Sequence, residues 1–175
     1  VRFKAVLDFE IEPETEKAIR KYSVLIKKVS PERILEELNK ILLSDNPDYI
    51  RDLYRLGLLR YIMPELDACF HQPQKNKYHI YNVGEHIMHT VKNTSPDFIL
   101  RWAALLHDIS KEYSEAEFLA LMKKHNISLT EWEIDEPALW HSMTAPSVIK
   151  DEFPEYASDD ILSAAFNHTV GSEDM

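Results

Sequence analysis

The 175-residue chain has only one cysteine and three glycines, and it lacks any long hydrophobic run. A single cysteine excludes an intramolecular disulfide, so we expect a reducing compartment, the cytoplasm. So few glycines argue against a β-rich fold with many tight turns and against a glycine-loop nucleotide site. The longest apolar stretches, such as Trp102–Leu106, are far shorter than the roughly 20 residues that span a bilayer. We therefore expect no membrane segment.

The composition is that of a folded protein with two unlike halves. Hydrophobic residues make up 45% of the chain and charged residues 29%, which is too apolar for a disordered protein. Residues 1–70 carry 12 basic and 13 acidic side chains, whereas residues 71–175 carry 8 and 17 and contain all eight histidines. Acidic side chains with histidines are the composition of a metal site. The sequence thus predicts two domains, residues 1–70 and 71–175.

Helix signals recur along the chain, whereas no alternating run of convincing length predicts a strand. Apolar residues at helical spacing predict a helix from Pro13 to Val29. Helix starts are predicted at Ser30-Pro31, Ser95-Pro96 and Ser114–Glu117, and a helix end is predicted at Gly57. Further helices are predicted over residues 80–93, 136–153 and 158–168. The predicted fold class is all-α, a multi-helix bundle preceded by a small helical domain.

The pair His107-Asp108 ends an otherwise apolar predicted helix. Because adjacent helical residues diverge by about 100°, the two side chains can straddle an ion at the helix end. An isolated pair of this kind more often just terminates a helix near solvent. Burying several histidines and an aspartate without partners is costly, however, and imidazole with carboxylate suits Fe, Mn, Zn or Ni. Three further histidines stand beside apolar residues on separate predicted helices: His86, His141 and His168.

These residues resemble a known superfamily. A histidine followed by the segment Ala104–Asp108 is similar to the signature of the HD-domain metal-dependent phosphohydrolases. Two later segments, Glu136–Pro146 and Asp160–Gly171, resemble the bacterial HD family that hydrolyses diadenosine tetraphosphate symmetrically. The resemblance implies a centre of two divalent transition-metal ions of unspecified identity. The ligands it implies are His86, His107, Asp108, His141 and His168.

The same resemblance implies roles for residues around the centre. Asp108 would bridge the ions as a catalytic residue, and Lys111 would be a catalytic residue that faces the substrate phosphate. His79 is a further candidate for substrate contact. The family's last ligand is an aspartate on a later helix, and Asp174 is too close to His168 to match it. We therefore expect this chain to lack one ligand of the family.

The first part of the chain resembles a second family. Residues 1–111 are similar to the neck and body of bacterial tRNA nucleotidyltransferases, the CCA-adding enzymes, many of which also carry an HD domain. The resemblance lies in several motifs that occur in order, at Phe9–Thr15, Ser30–Ile34, Glu37–Ser44, Gly57–Leu59, Ile62–Leu66 and Tyr78–His86. The catalytic head of those enzymes has no counterpart here, so the resemblance implies at most a surface that holds tRNA.

Two functions stay open at this point. The first is a phosphohydrolase acting on a nucleotide phosphoester or phosphoanhydride, with dinucleoside polyphosphates among the candidate substrates. The alternative is a non-catalytic tRNA-binding neck and HD fragment of a nucleotidyltransferase-like protein. Basic residues that could meet RNA phosphate are interleaved with glutamates, which is more typical of a solvated helix face. These residues are Lys17, Arg20, Lys21, Lys27 and Lys28.

Overall fold

The computed structural model describes residues 1–73, 81–111, 113–130, 140–154 and 157–167. All regular elements within these ranges are helical, which confirms the all-α prediction. Short 3₁₀ helices span Ser23–Lys28 and Pro47–Tyr49. The α-helices are α1 (Arg2–Leu7), α2 (Pro13–Tyr22), α3 (Pro31–Leu42), α4 (Ile50–Arg55), α5 (Leu59–Ile62), α6 (Pro64–Cys69), α7 (Val83–Asn93), α8 (Phe98–Leu106), α9 (Glu115–Lys124), α10 (Trp140–Glu152) and α11 (Asp159–Asn167).

The chain divides into two compact units, Val1–Arg101 and Trp102–Met175, and the division falls inside α8. The predicted boundary between residues 70 and 71 is a different division, and part of its linker lies outside the described residues. It stays a prediction. Among the described helices, none combines the length and the apolar character that crossing a membrane requires.

Two local signals in the sequence form the predicted structures. Gly57 follows the end of α4 with φ +69°, a conformation that suits glycine because it has no Cβ. Its N–H donates to Tyr54 O at 2.8 Å and the next N–H donates to Leu53 O at 2.9 Å, the hydrogen-bond pair of a Schellman stop. At the start of α9, Ser114 and Glu117 form the reciprocal capping box, with Glu117 Oε2 accepting from Ser114 N–H at 2.7 Å.

Two other helix predictions are wrong in detail. The helix start predicted at Ser95-Pro96 lies at Asp97 instead, and Asp97 Oδ1 accepts a hydrogen bond from Leu100 N–H at 3.0 Å. Aspartate caps a helix as well as serine does, and its negative charge is favourable at the helix N-terminus. The helix predicted through Val29 ends at Tyr22 and continues as a 3₁₀ helix. A helix is stabilised mainly by packing its apolar face, and this face stays exposed here. The exposed large apolar side chains of this region are Phe3, Val6, Leu7, Phe9, Tyr22, Val24, Leu25 and Val29.

Helix α7 packs tightly within the first unit. A Cβ added at Gly84 would lie 2.5 Å from Phe70 Cγ, so only glycine allows this close approach. The Phe70 ring in turn stacks on Tyr54, with ring centroids 4.3 Å apart. Beside this contact, Arg51 of α4 forms a salt bridge with Glu85 of α7 at 2.7 Å. Aromatic packing and an ion pair therefore fix α7 against the helices that precede it.

The first turn of α8 is anchored in the same unit. The guanidinium of Arg101 is buried and donates to Leu42 O at 2.6 Å and to Thr94 O at 2.7 Å. It thus satisfies a carbonyl at the C-terminal end of α3, where intrahelical donors are missing. Burial lowers the pKa of this guanidinium.

The second unit begins with the apolar end of α8. Leu105 and Leu106 are fully buried there. A separate apolar cluster joins α9 to α10 through Phe118, Met122 and Trp140. The Phe118 and Trp140 rings meet edge to face, with centroids 6.4 Å apart, which is a favoured aromatic geometry. These apolar contacts place the start of α10 within the core of this unit.

Candidate metal centre

A run of tight turns carries the His-Asp pair into the core of the second unit. After α8, Ile109 N–H donates to Leu106 O at 3.1 Å and Lys111 N–H donates to Asp108 O at 3.0 Å. Ile109 and Asp108 are both fully buried. We call residues 107–111 the HD turn. Its backbone bonds bring Lys111 back to the same side as Asp108.

Nitrogen-bearing side chains of the second unit lie around the Asp108 carboxylate. Oδ2 lies 2.7 Å from Lys111 Nζ and 3.2 Å from His107 Nε2. Oδ1 lies 3.5 Å from Nε2 of His141, which stands at the start of α10. Both histidines are 7% exposed. The structure therefore brings four of the predicted site residues together, within one unit.

The ring orientation of His107 bears on what the site can bind. Its Nδ1 lies 2.8 Å from Ala104 O, and a carbonyl only accepts, so the hydrogen of this bond belongs to Nδ1. In the neutral ring, Nε2 then presents a lone pair toward the Asp108 oxygen at 3.2 Å. Two acceptors at that distance repel each other unless a cation serves both or the ring is protonated. Metal-binding histidines commonly donate their other nitrogen to a carbonyl in this way.

The distances between these donors suit a shared ion. Two ligand atoms that each lie about 2.1 Å from one ion are about 3.0–3.4 Å apart at octahedral to tetrahedral angles. The distance between His107 Nε2 and Asp108 Oδ2, 3.2 Å, falls in this range, whereas His141 Nε2 faces the other oxygen, Oδ1, at the slightly longer 3.5 Å. Imidazole and carboxylate ligands suit Fe, Mn, Zn and Ni. The residues present therefore fit a divalent transition metal.

The other predicted site residues have different outcomes. His86 is half-buried on α7 in the first unit. His79 and His168 lie outside the described residues. Their predicted roles, ligation for His86 and His168 and substrate contact for His79, stay predictions. His89, a less favoured ligand candidate, is exposed and packs on the Tyr81 ring with centroids 4.3 Å apart.

Sequence reasoning missed two hydroxyl residues beside the centre. Ser110 is fully buried and its Oγ donates to His141 O at 2.8 Å. Thr144 is also fully buried, and its Oγ1 donates to Trp140 O at 2.8 Å. A signal was present, since Ser110 follows Asp108 by two residues and Thr144 follows His141 by three. Hydroxyl residues that close to expected ligands are candidates for outer partners.

His125 performs the structural role that its position predicts. It is the C-cap residue of α9, where a cation complements the helix dipole. Its Nε2 lies 2.9 Å from Asp151 Oδ2 on α10, and Lys124 Nζ lies 2.6 Å from the same oxygen. The hydrogen bond from Lys124, and then the one from His125, lowers the pKa of Asp151. These groups form a surface ion-pair cluster between two helices.

The comparison with protein families divides the chain in two. A family described as "HD domain" matches residues 77–175, more than half of the chain. The chain belongs to the HD-domain family. The preceding part of this HD-domain protein, residues 8–70, matches a family described as "Probable RNA and SrmB- binding site of polymerase A".

Curated relatives of the HD-domain protein carry the name "Multifunctional CCA protein". The relative from Alkalilimnicola ehrlichii is 36% identical over 112 residues, which are 60% of this chain and 27% of the relative. Relatives from Pseudomonas fluorescens and Xanthomonas campestris are 32% and 35% identical, over 65% of this chain and 29% and 30% of their own lengths. The chain thus spans less than a third of these relatives. No solved structure matches it significantly.

Proposed function

We propose that this HD-domain protein is a metal-dependent phosphohydrolase that acts on a nucleotide phosphoester or phosphoanhydride. The observation that carries the proposal is the pairing of His107 Nε2 with Asp108 Oδ2 at 3.2 Å in a buried site. Because Ala104 O holds the Nδ1 hydrogen, the two facing atoms are both acceptors in the neutral ring. A divalent ion satisfies both at once.

The proposed ligand set extends beyond this pair. His141 supplies a third donor from the second unit. His86 is proposed as a further ligand because of the family resemblance. His168 is proposed on the resemblance alone. With five ligands the centre would hold two ions, for which Asp108 is the proposed bridge.

The chemistry follows from the donor set and from Lys111. When bound, divalent ions lower the pKa of a coordinated water toward neutrality and neutralise phosphate oxygens. In hydrolysis, water oxygen bonds to phosphorus, the bond to the leaving oxygen breaks, and that oxygen takes up a proton. The ammonium of Lys111 would stabilise negative charge on the transferring phosphoryl group. Its side chain is 25% exposed, so a substrate can reach it from solvent.

The substrate class is a finer part of the proposal. Residues 71–175 are strongly acidic, which disfavours a bare nucleotide unless bound cations supply the attraction. The resemblance of the two later segments favours a dinucleoside polyphosphate. A panel of dinucleoside polyphosphates, cyclic nucleotides and nucleoside monophosphates therefore tests the substrate class directly.

The test combines elemental analysis with hydrolysis of that panel. We expect the parent protein to retain Fe, Mn, Zn or Ni and to release phosphate or nucleotide from at least one substrate. The Asp108→Asn variant should lose both properties. Asp151→Asn is the matched control, since it alters an exposed aspartate of the same unit. Metal-dependent melting without hydrolysis of any substrate would indicate a structural metal and contradict the proposal.

A second candidate function has its own support. The match of residues 8–70 to an RNA-binding family and the name of the relatives favour tRNA as a partner. The basic residues of α2 support it less, because Lys17 and Arg20 each form an ion pair with a glutamate of the same helix at 2.7 Å. Fluorescence anisotropy with labelled tRNA at 50 and 200 mM salt tests this function. Binding that weakens steeply with salt supports it, and no binding at 50 mM removes it.

A further inference from the structure

Ser110 links the HD turn to α10 through a buried hydrogen bond. Its Oγ donates to His141 O at 2.8 Å, and the serine is fully buried. Thr144 Oγ1 lies 3.3 Å from Ser110 Oγ, but the single hydroxyl hydrogen of Thr144 has a closer acceptor in Trp140 O at 2.8 Å. Ser110 therefore makes the shorter link from the HD turn. Burying a hydroxyl is costly unless it is hydrogen bonded, so this link helps to hold the two segments together, although Thr144 Oγ1 also lies 3.3 Å from His141 O.

The same two segments are joined a second time at the candidate centre. His141 Nε2 lies 3.5 Å from Asp108 Oδ1, while the carbonyl of His141 receives the Ser110 bond. Asp108 and Ser110 are two residues apart in one turn. One bond fixes the backbone of His141, and the other contact involves its imidazole. A displacement of that backbone would move the imidazole away from the position in which it meets the carboxylate.

We propose that Ser110 is a positioning residue for the metal centre and that its hydroxyl holds His141 in ligating register with Asp108. The inference rests on the proposed function, because it concerns the ligands of the proposed centre. Outer partners of metal ligands typically account for a tenfold to hundredfold difference in metal affinity. An effect of that size should appear in metal binding as well as in turnover.

The test measures Co²⁺ binding by visible absorption, together with melting of the metal-free protein. Ser110→Ala should weaken Co²⁺ binding by about tenfold or more and change the ligand-field spectrum. Ser147→Ala is the matched control, because it removes the same atom from a buried serine of α10 (8% exposed). It should leave the dissociation constant within about twofold of the parent value. Ser110→Thr, which keeps the hydroxyl, should restore most of the affinity even where its extra methyl lowers the melting temperature.

Each result is decisive. If Ser110→Ala and the parent bind Co²⁺ equally, the inference is overturned and the proposed function is untouched. If Ser110→Ala and Ser147→Ala weaken binding equally, the effect belongs to general loosening of α10 and the inference is again wrong. If the parent itself binds no metal, the proposed function and the inference both fail. Should Ser110→Ala not fold, the comparison of Ser110→Thr with Ser147→Ala decides, since only a positioning hydroxyl predicts near-parent affinity in Ser110→Thr despite reduced stability.

Discussion

The two units each bury an aspartate against a lysine, yet the surroundings of the two carboxylates differ. Asp52 in the first unit is 8% exposed, and its Oδ2 lies 3.0 Å from Lys4 Nζ. Asp108 in the second unit is fully buried, and its Oδ2 lies 2.7 Å from Lys111 Nζ. A second permanent cation, Arg55, lies 3.6 Å from Asp52 Oδ1. Beside its lysine, Asp108 lies against the imidazoles of His107 and His141.

The kind of partner separates a structural aspartate from a candidate ligand. Lysine and arginine neutralise Asp52 at every physiological pH, so that site has no need of a further cation. An imidazole, by contrast, is a common metal ligand that offers a nitrogen lone pair to the ion. Burial of a carboxylate is therefore no sign of function by itself. The partners of the buried carboxylate carry the functional information.

The largest expected effect is on metal affinity when each aspartate becomes asparagine. Asp108→Asn should weaken Mn²⁺ binding by at least about a hundredfold, because even outer partners of ligands contribute up to that factor. Asp52→Asn should leave Mn²⁺ affinity within about twofold, while the free energy of unfolding falls by about 1–2 kcal/mol as Lys4 loses its charged partner. Isothermal titration and urea denaturation measure the two quantities. Comparable loss of Mn²⁺ affinity in both variants would erase the distinction between the sites.

The two lysines should separate turnover from stability. Lys111→Met is expected to lower kcat/KM by about a hundredfold on the best substrate, because a cation aimed at the transferring phosphoryl group is lost. Lys4→Met is expected to leave kcat/KM within about twofold and to lower the melting temperature. Steady-state kinetics and thermal melts on the same preparations provide the comparison. Unchanged kcat/KM in Lys111→Met would mean that this lysine has only a structural role.

The contribution of Lys4 should also depend on pH. The hydrogen bond and charge of Asp52 raise the pKa of Lys4 above its ordinary value of 10.5. A raised pKa means that the stabilisation is full below 10.5 and is lost as the pH rises through the higher value of the folded state. The difference in unfolding free energy between the parent and Lys4→Met should be constant from pH 7 to 9 and shrink as the pH rises above 10.5. A difference that persists undiminished at pH 11 and above would assign it to packing of the lysine stem.

The smallest effect is expected at the exposed Asp151. Lys124 and His125 lower its pKa, so its stabilisation is present above the ordinary value of 3.8 and is lost as the pH falls through the lower folded-state value. Asp151→Asn should lower the melting temperature at pH 7 by only about 1–2 °C, as expected for a surface ion pair. The parent and variant melts should converge once the pH falls well below 3.8. A melting temperature many degrees lower at pH 7 would mean that this carboxylate contributes as much to stability as a buried aspartate.

Local chemistry decided which features the sequence could predict. The helix end at Gly57 and the Ser114 capping box depend on residues only a few positions apart, so the local sequence was sufficient to predict them. The expectation that His107, Asp108 and His141 lie close together came from the family resemblance. The Lys4–Asp52 pair could not be predicted from the sequence, because the two residues are 48 positions apart and look like ordinary surface charges. The same reason hid the Ser110 bond, since nothing in its own segment marks a carbonyl 31 positions away as its acceptor.

The exposed apolar side chains along the first 29 residues have a practical consequence for handling this protein. Phe3 and Phe9 are 55% and 59% exposed, and exposed apolar side chains of this kind attract other apolar molecules. A dye whose fluorescence increases on apolar surfaces would already bind the folded chain and raise the baseline signal of a thermal-shift assay. Unfolding of this all-helical molecule is better followed by far-ultraviolet circular dichroism, and mild detergents are best kept out of its purification.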